Sequence, residues 1–127
     1  MWAPWGVNEI GYVQSITGKK PAVAGVDLIH EYRNAGEVQK AIDYWNDGGI
    51  PTIMWHWGAP GVGEGYENSK VGIDINLCFE EGTEEYIAMW DELETKADHL
   101  QTLRDAGALG GYHRDGGVSI VSALRGL

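Results

Sequence analysis

Hydrophobic positions along this chain switch between a helical spacing and unbroken runs, and each switch marks an element. Over residues 7–17, Val7, Ile10, Val13 and Ile16 recur near the 3.6-residue repeat, which predicts a short amphipathic helix with Gly18 as its left-handed stop. Lys19-Lys20-Pro21 then turns the chain into residues 22–29, apolar apart from Asp27 near the far end. A run of that kind suits a strand covered on both faces. Residues 36–47 return to the helical spacing, with Val38, Ala41, Ile42 and Trp45 on one face and Gly48-Gly49 closing the helix. Residues 50–57 form the next apolar run, and two strands bracketing a helix make a βαβ unit with parallel strands.

Residues 59–82 carry Gly, Pro, Asn and acidic side chains with no steady period and read as one long connection. Connections longer than about 12–15 residues in compact domains are usually functional or mobile. This one leaves the strand end that carries His56. The third helix is the clearest element. Thr83 is its N-cap, Glu84 and Glu85 sit in the first turn where the helix dipole favours negative charge, and Gly107 ends it. Ile87, Trp90, Leu93, Ala97, Leu100 and Leu103 trace its apolar face. Residues 108–117 bring Gly pairs and charge that suit a loop, and only Val118-Ser119-Ile120-Val121 can extend. The alternating order predicts an α/β fold, either an open sheet or part of a barrel.

Length separates these. A chain of 127 residues fits one ordinary domain, whereas a complete eight-unit barrel takes about 250, so a barrel protein would be present only in part. Either architecture keeps its ligand beyond the carboxyl ends of the strands. The segment Ile50-Pro51-Thr52-Ile53-Met54-Trp55-His56-Trp57-Gly58-Ala59-Pro60 delivers two indoles and an imidazole to such an end. Side chains alternate along a strand, so either His56 or the Trp55/Trp57 pair faces the interior unless the strand has already ended.

Six Trp and six Tyr offer flat surfaces with a hydrogen-bonding edge, which fit the apolar face and hydroxyl rim of a sugar. A core rich in aromatics is the competing explanation. His56 can donate to a sugar hydroxyl or a carboxylate, or be a hydrogen-bonded structural histidine, and Asp27 can orient a ligand or cap the following segment. His30 and Glu31 lack a third ligand for a metal and read as a solvated turn. Asp98 and His99 lie off the apolar stripe of the third helix and read as surface residues. The run Glu80, Glu81, Glu84 and Glu85 reads as solvated charge, and none of these carboxylates is assigned a catalytic role.

The formal net charge of -10 repels phosphate backbones and anionic membranes, so neither nucleic acid nor membrane is an expected partner. No apolar stretch has a spanning length, and the amino terminus lacks the plan of a signal peptide. Cys78, the one cysteine, excludes an intramolecular disulfide and reads as a small packed hydrophobe. Gly61-Val62-Gly63-Glu64-Gly65 has no helix behind it to make a phosphate loop, and no Gly-x-Ser-x-Gly elbow is present.

Gly18-Lys19-Lys20-Pro21-Ala22-Val23-Ala24-Gly25-Val26-Asp27, followed by Gly48-Gly49 and the segment through Pro60, resembles glycoside hydrolase family 26, largely endo-β-1,4-mannanases. The likeness continues through Glu81-Gly82-Thr83-Glu84-Glu85-Tyr86 and residues 97–107. It implies residues 1–107 as the N-terminal part of a (β/α)₈ barrel, roughly its first three βα units. The ligand it implies is β-mannan or a related polysaccharide, cleaved with retention through two glutamates and no cofactor or metal. It further implies secretion, and a monomer once the barrel is whole. His56 matches a histidine lining the sugar pocket, with Trp57 at the rim, while Gly58 stands where asparagine is common; Asp27 and Trp5, to which the resemblance gives no matched role, are expected as further substrate contacts from their residue types alone. The family pattern would next reach Arg-Pro-x-His-Glu, whereas this chain has Gly111-Tyr112-His113-Arg114. Neither catalytic glutamate is identifiable. Residues 108–127 are therefore expected to be a divergent tail, frame-shifted or truncated, and the isolated chain inactive. Two other classes are carried alongside: a noncatalytic sugar-binding module stacking ligand on Trp5, Trp55 and Trp57, and a small α/β domain with a structural role.

Overall fold

The computed structural model describes residues 8–108. Three helices and two strands follow in the order α1 (Glu9–Thr17), β1 (Val23–Asp27), α2 (Glu31–Asn46), β2 (Ile50–Met54) and α3 (Glu84–Asp105). Two short 3₁₀ turns, Asn68–Lys70 and Ile75–Phe79, interrupt the connection from β2 to α3. The strand expected at Val118–Val121 lies outside the described residues.

The strands pair in parallel, Val23 opposite Ile50 through Asp27 opposite Met54. Ile50 N donates to Ala22 O, and Leu28 N donates to Met54 O. Ile50, Thr52 and Met54 therefore carry the pairing, and the N–H that Pro51 lacks would have pointed away from β1, a position where a strand tolerates proline. Alternation then decides the two faces. Ala24, Val26 and Leu28 turn toward the helices and are buried, Val26 and Leu28 packing with Val38 and Ala41 of α2 and Leu103 of α3. Val23, Ile50 and Met54 occupy the opposite face and stay exposed.

Local chemistry fixes the element ends. The Asn8 side chain accepts from Gly11 N at 2.9 Å to start α1, and Gly18 stops it at φ +69°. Thr83 accepts from Tyr86 N to start α3. At the base of the βαβ unit the Tyr44 hydroxyl donates to Pro21 O, Lys20 lies 4.2 Å from the Tyr44 ring centroid, and the ring leaves no room for a Cβ at Gly49.

Several expected boundaries move. α2 begins at Glu31 rather than at residue 36, because the first turns carry polar residues that anchor to other elements instead of showing an apolar period. β2 ends at Met54 and β1 spans only Val23–Asp27, so the apolar runs outlast the ladder. α1 buries none of its residues. Ile87, placed by its spacing on the buried stripe of α3, is 59% exposed. The buried residues of α3 are Lys96, Ala97 and Leu103, all in its later turns, where it meets α2 and the sheet. Replacing Leu103 by alanine is expected to cost about 2–5 kcal/mol through the cavity it leaves. Replacing Ile87 by alanine should stay within about 0.5 kcal/mol, as at other surface positions. Urea unfolding of the two variants, followed by circular dichroism, checks the contrast.

Candidate functional site

The register that pairs Asp27 with Met54 puts the Asp27 carboxylate beside the residues leaving β2. His56 N donates to Asp27 Oδ1 at 3.3 Å, and His56 Nδ1 lies 2.5 Å from Asp27 Oδ2. An ionised Asp27 fixes the proton on Nδ1 and leaves Nε2 as the working edge of the ring: an acceptor when the imidazole is neutral, a second donor when it is charged. Tyr66 packs edge to face with His56, centroids 5.9 Å apart and planes at 73°. His56 and Tyr66 are both about half exposed.

The tryptophans go the other way. Trp55 packs against the core under the helices and stacks with Trp57 at 4.6 Å. Trp57 Nε1 donates to the Glu92 carboxylate of α3, whose other oxygen accepts from Gly61 N at 3.1 Å. His56 and Asp27 are thus brought together, while Trp57 lines a separate cavity of about 240 Å³ with Trp55, Glu31, Glu92 and Lys96. Trp5 lies outside the described residues, as do His113 and Arg114.

The connection leaving His56 is folded rather than loose. Ala59 N donates to Asn68 O, closing residues 59–68 into an Ω-loop whose own groups fill its interior. The Asn68 side chain donates to Glu64 O at 2.7 Å, and a Cβ at Gly58 would lie 1.8 Å from Gly63 O. Glycine at position 58 is therefore what lets this loop close.

Glu31 is the hub of the neighbouring polar cluster. Its Oε2 accepts from Lys96 Nζ at 2.5 Å and from Asn34 Nδ2 at 2.8 Å, and its Oε1 lies 2.6 Å from His99 Nε2. Glu64 reaches back to the same corner, with Oε1 accepting from Glu31 N and Oε2 lying 3.2 Å from His30 Nδ1. The expectation that His30 and Glu31 form a solvated turn, and that His99 is a surface residue, is corrected here: these side chains tie the start of α2 to α3 and to the Ω-loop. The reason is that Lys96 is only 8% exposed, and a nearly buried ammonium needs an anionic partner.

Burial by itself would raise the Glu31 carboxyl, but hydrogen bonds from Lys96, His99 and Asn34 and the Lys96 charge outweigh it and lower the pKa from 4.5 to about 2. Four carboxylates around the site are committed: Asp27 to His56, Glu31 to Lys96, Glu64 to the start of α2, and Glu92 to Trp57. Among the described residues no group of three or more His, Cys, Asp or Glu is placed to hold a metal ion. Sequence reasoning missed Tyr66, Glu64 and Glu92. Their only signal was membership of a long connection and of a helix face that had no reason to be polar there.

Parallel βα units with polar side chains gathered beyond the strand ends define an α/β scaffold of the kind that barrels and open sheets share. The sequence model of Glycosyl hydrolase family 26 matches residues 5–114, and the chain belongs to that family. It is 28% identical over 113 residues to a mannan endo-1,4-β-mannosidase of Bacillus subtilis, covering 81% of this chain and 31% of that enzyme. A β-mannanase from a symbiotic protist of the termite Reticulitermes speratus, solved with a gluco-manno-oligosaccharide, is 32% identical with a TM-score of 0.61 over 78% of this chain and 36% of its own. The family 26 domain of a Prevotella bryantii endo-β-mannanase/endo-β-glucanase is 26% identical, with a TM-score of 0.63 over 78% of this chain and 35% of its own. The chain thus spans about a third of the length of these relatives.

The lowered carboxyl pKa carries a sign. Because Glu31 ionises more readily folded than unfolded, its contribution to stability is full above about pH 4.5 and is lost as pH falls toward about 2. The side chain is 43% exposed, so water screens part of the effect. Thermal melts from pH 6 to pH 2 should show Glu31→Gln less stable than the parent at pH 6 and the two curves converging toward pH 2.

Proposed function

We propose that this chain forms the sugar-contacting first third of a barrel that cleaves β-1,4-mannosidic bonds, with His56 and Asp27 at the mannosyl ring. The observation that carries the reading is the His56–Asp27 pair, held at the carboxyl ends of two parallel strands with the imidazole about half exposed. The Bacillus and protist relatives are both mannanases by name, and the protist enzyme was solved with a gluco-manno-oligosaccharide. In this reading residues 1–107 belong to the barrel and residues 108–127 are a divergent tail. Trp57 supports the site from behind through Trp55 and Glu92, and Trp5 is a further sugar contact. The parent protein acts outside the cell as a monomer.

Retaining hydrolysis needs two carboxyl groups roughly 5–5.5 Å apart, one as nucleophile and one as acid/base. Neither of that pair is identifiable in this chain, and four carboxylates of the site hold histidine, lysine, backbone and indole groups, so the reading assigns the chain binding without cleavage. Isothermal titration of the 127-residue chain with β-1,4-mannohexaose should give binding, and incubation with mannan should release no reducing ends. His56→Ala should weaken binding about 2- to 10-fold, the loss of one hydrogen bond to a sugar hydroxyl. Absence of binding by the folded chain would overturn the sugar site, and released reducing ends would overturn the assignment of binding without cleavage.

A further inference from the structure

We infer that Tyr66 is the stacking platform for the sugar ring that His56 contacts, and that the Ω-loop exists to hold it there. This rests on the sugar site proposed above and adds a residue to it. Tyr66 is 55% exposed, so its ring contributes little to the core. It nevertheless does not sit on a free loop.

Residues 59–68 are fastened on every side of it. The loop ends meet through Ala59 N and Asn68 O, Glu92 of α3 accepts from Gly61 N, and Glu64, two residues before Tyr66, accepts from Glu31 N at 2.7 Å and contacts His30. Between Glu64 and Tyr66, Gly65 turns with φ +81° against the Ile29 side chain, a conformation that side chains rarely adopt. On its far side Ser69 Oγ donates to Tyr66 O at 2.6 Å. The ordering entropy of these groups is offset by contacts whose visible result is one aromatic ring fixed against His56 at the strand-end rim.

That arrangement supplies what a pyranose needs from a protein. An aromatic ring covers the apolar C–H face of the sugar, while the adjacent imidazole addresses a hydroxyl on its rim. Tyr66 acts through its ring face rather than its hydroxyl, so phenylalanine should replace it. Glu64 is a positioning residue, acting through the loop.

The test is a titration of the 127-residue chain and its variants with β-1,4-mannohexaose, with folding checked by circular dichroism. Tyr66→Ala is expected to weaken binding about tenfold, Tyr66→Phe by less than about twofold, the pattern of a stacking contact. Glu64→Ala should weaken binding in the parent but not further in Tyr66→Ala, since both act through one ring. Saturation-transfer NMR should show aromatic-to-sugar transfer that survives in Tyr66→Phe and falls in Tyr66→Ala. If His56→Ala weakens binding and Tyr66→Ala does not, the platform is overturned and the His56 site stands. If the folded parent chain binds no oligosaccharide, both are overturned.

Discussion

The parallel register of β1 and β2 is the constraint from which the site follows. Pairing Asp27 with Met54 places a carboxylate one step before the point where the chain leaves β2, so that His56, two residues on, meets it through both backbone and ring. A slip of one residue would turn every β1 side chain to the opposite face, sending Asp27 among the helices and Val26 into the open. Burial of Val26 and Leu28 against α2 and α3 resists that slip, so the same apolar contacts that hold the fold also aim the polar pair.

Behind this pair lies a second layer whose charges position side chains as well as stabilise. Lys96 is nearly buried, and removing it from water is costly unless Glu31 answers it; pairs of this kind add little net stability yet are strongly missed when broken. What the cluster secures is geometry. Glu31 joins α2 to α3, Glu64 joins the Ω-loop to α2, and Glu92 joins the loop and Trp57 to α3. Three carboxylates from three segments thereby fix the one connection that emerges from the His56 strand end, and the loop that its length marked as functional or mobile is held as a folded unit.

The period of the chain made the α/β alternation legible, and α3 with its Thr83 cap and Gly107 end is found where the pattern puts it. Two kinds of information were not in the pattern. Apolar runs report burial rather than hydrogen-bonded pairing, so residues 50–57 read as one strand although the ladder stops at Met54 and Trp55 and Trp57 go on to pack toward α3. Polar residues report nothing about their partners until distant segments meet. Glu31 and His99 are 68 positions apart and each, taken alone, reads as surface. The Asp27–His56 pair was visible only as two residues near separate strand ends, and its meeting depends on the register, which a single apolar run does not specify. Tyr66 had no signal beyond its place in a long connection, because its placement comes from Gly65, Glu64 and Glu92 acting together.

The exposed side of the sheet completes the argument. The apolar runs predict strands covered on both faces, yet among the described residues helices cover one face only, and Val23, Ile50 and Met54 look outward from the other. In a (β/α)₈ barrel that second face is the packed interior, filled by side chains from alternate strands. The apolar pattern of β1 and β2 fits that fold, and relatives such as the Bacillus enzyme are covered over only 31% of their length. The site survives the open face because its positioning contacts, from α2, α3 and the Ω-loop, come from the helical side and from beyond the strand ends. Whatever else closes over Val23 and Met54 adds to a His56–Asp27–Tyr66 corner that these two βα units already assemble.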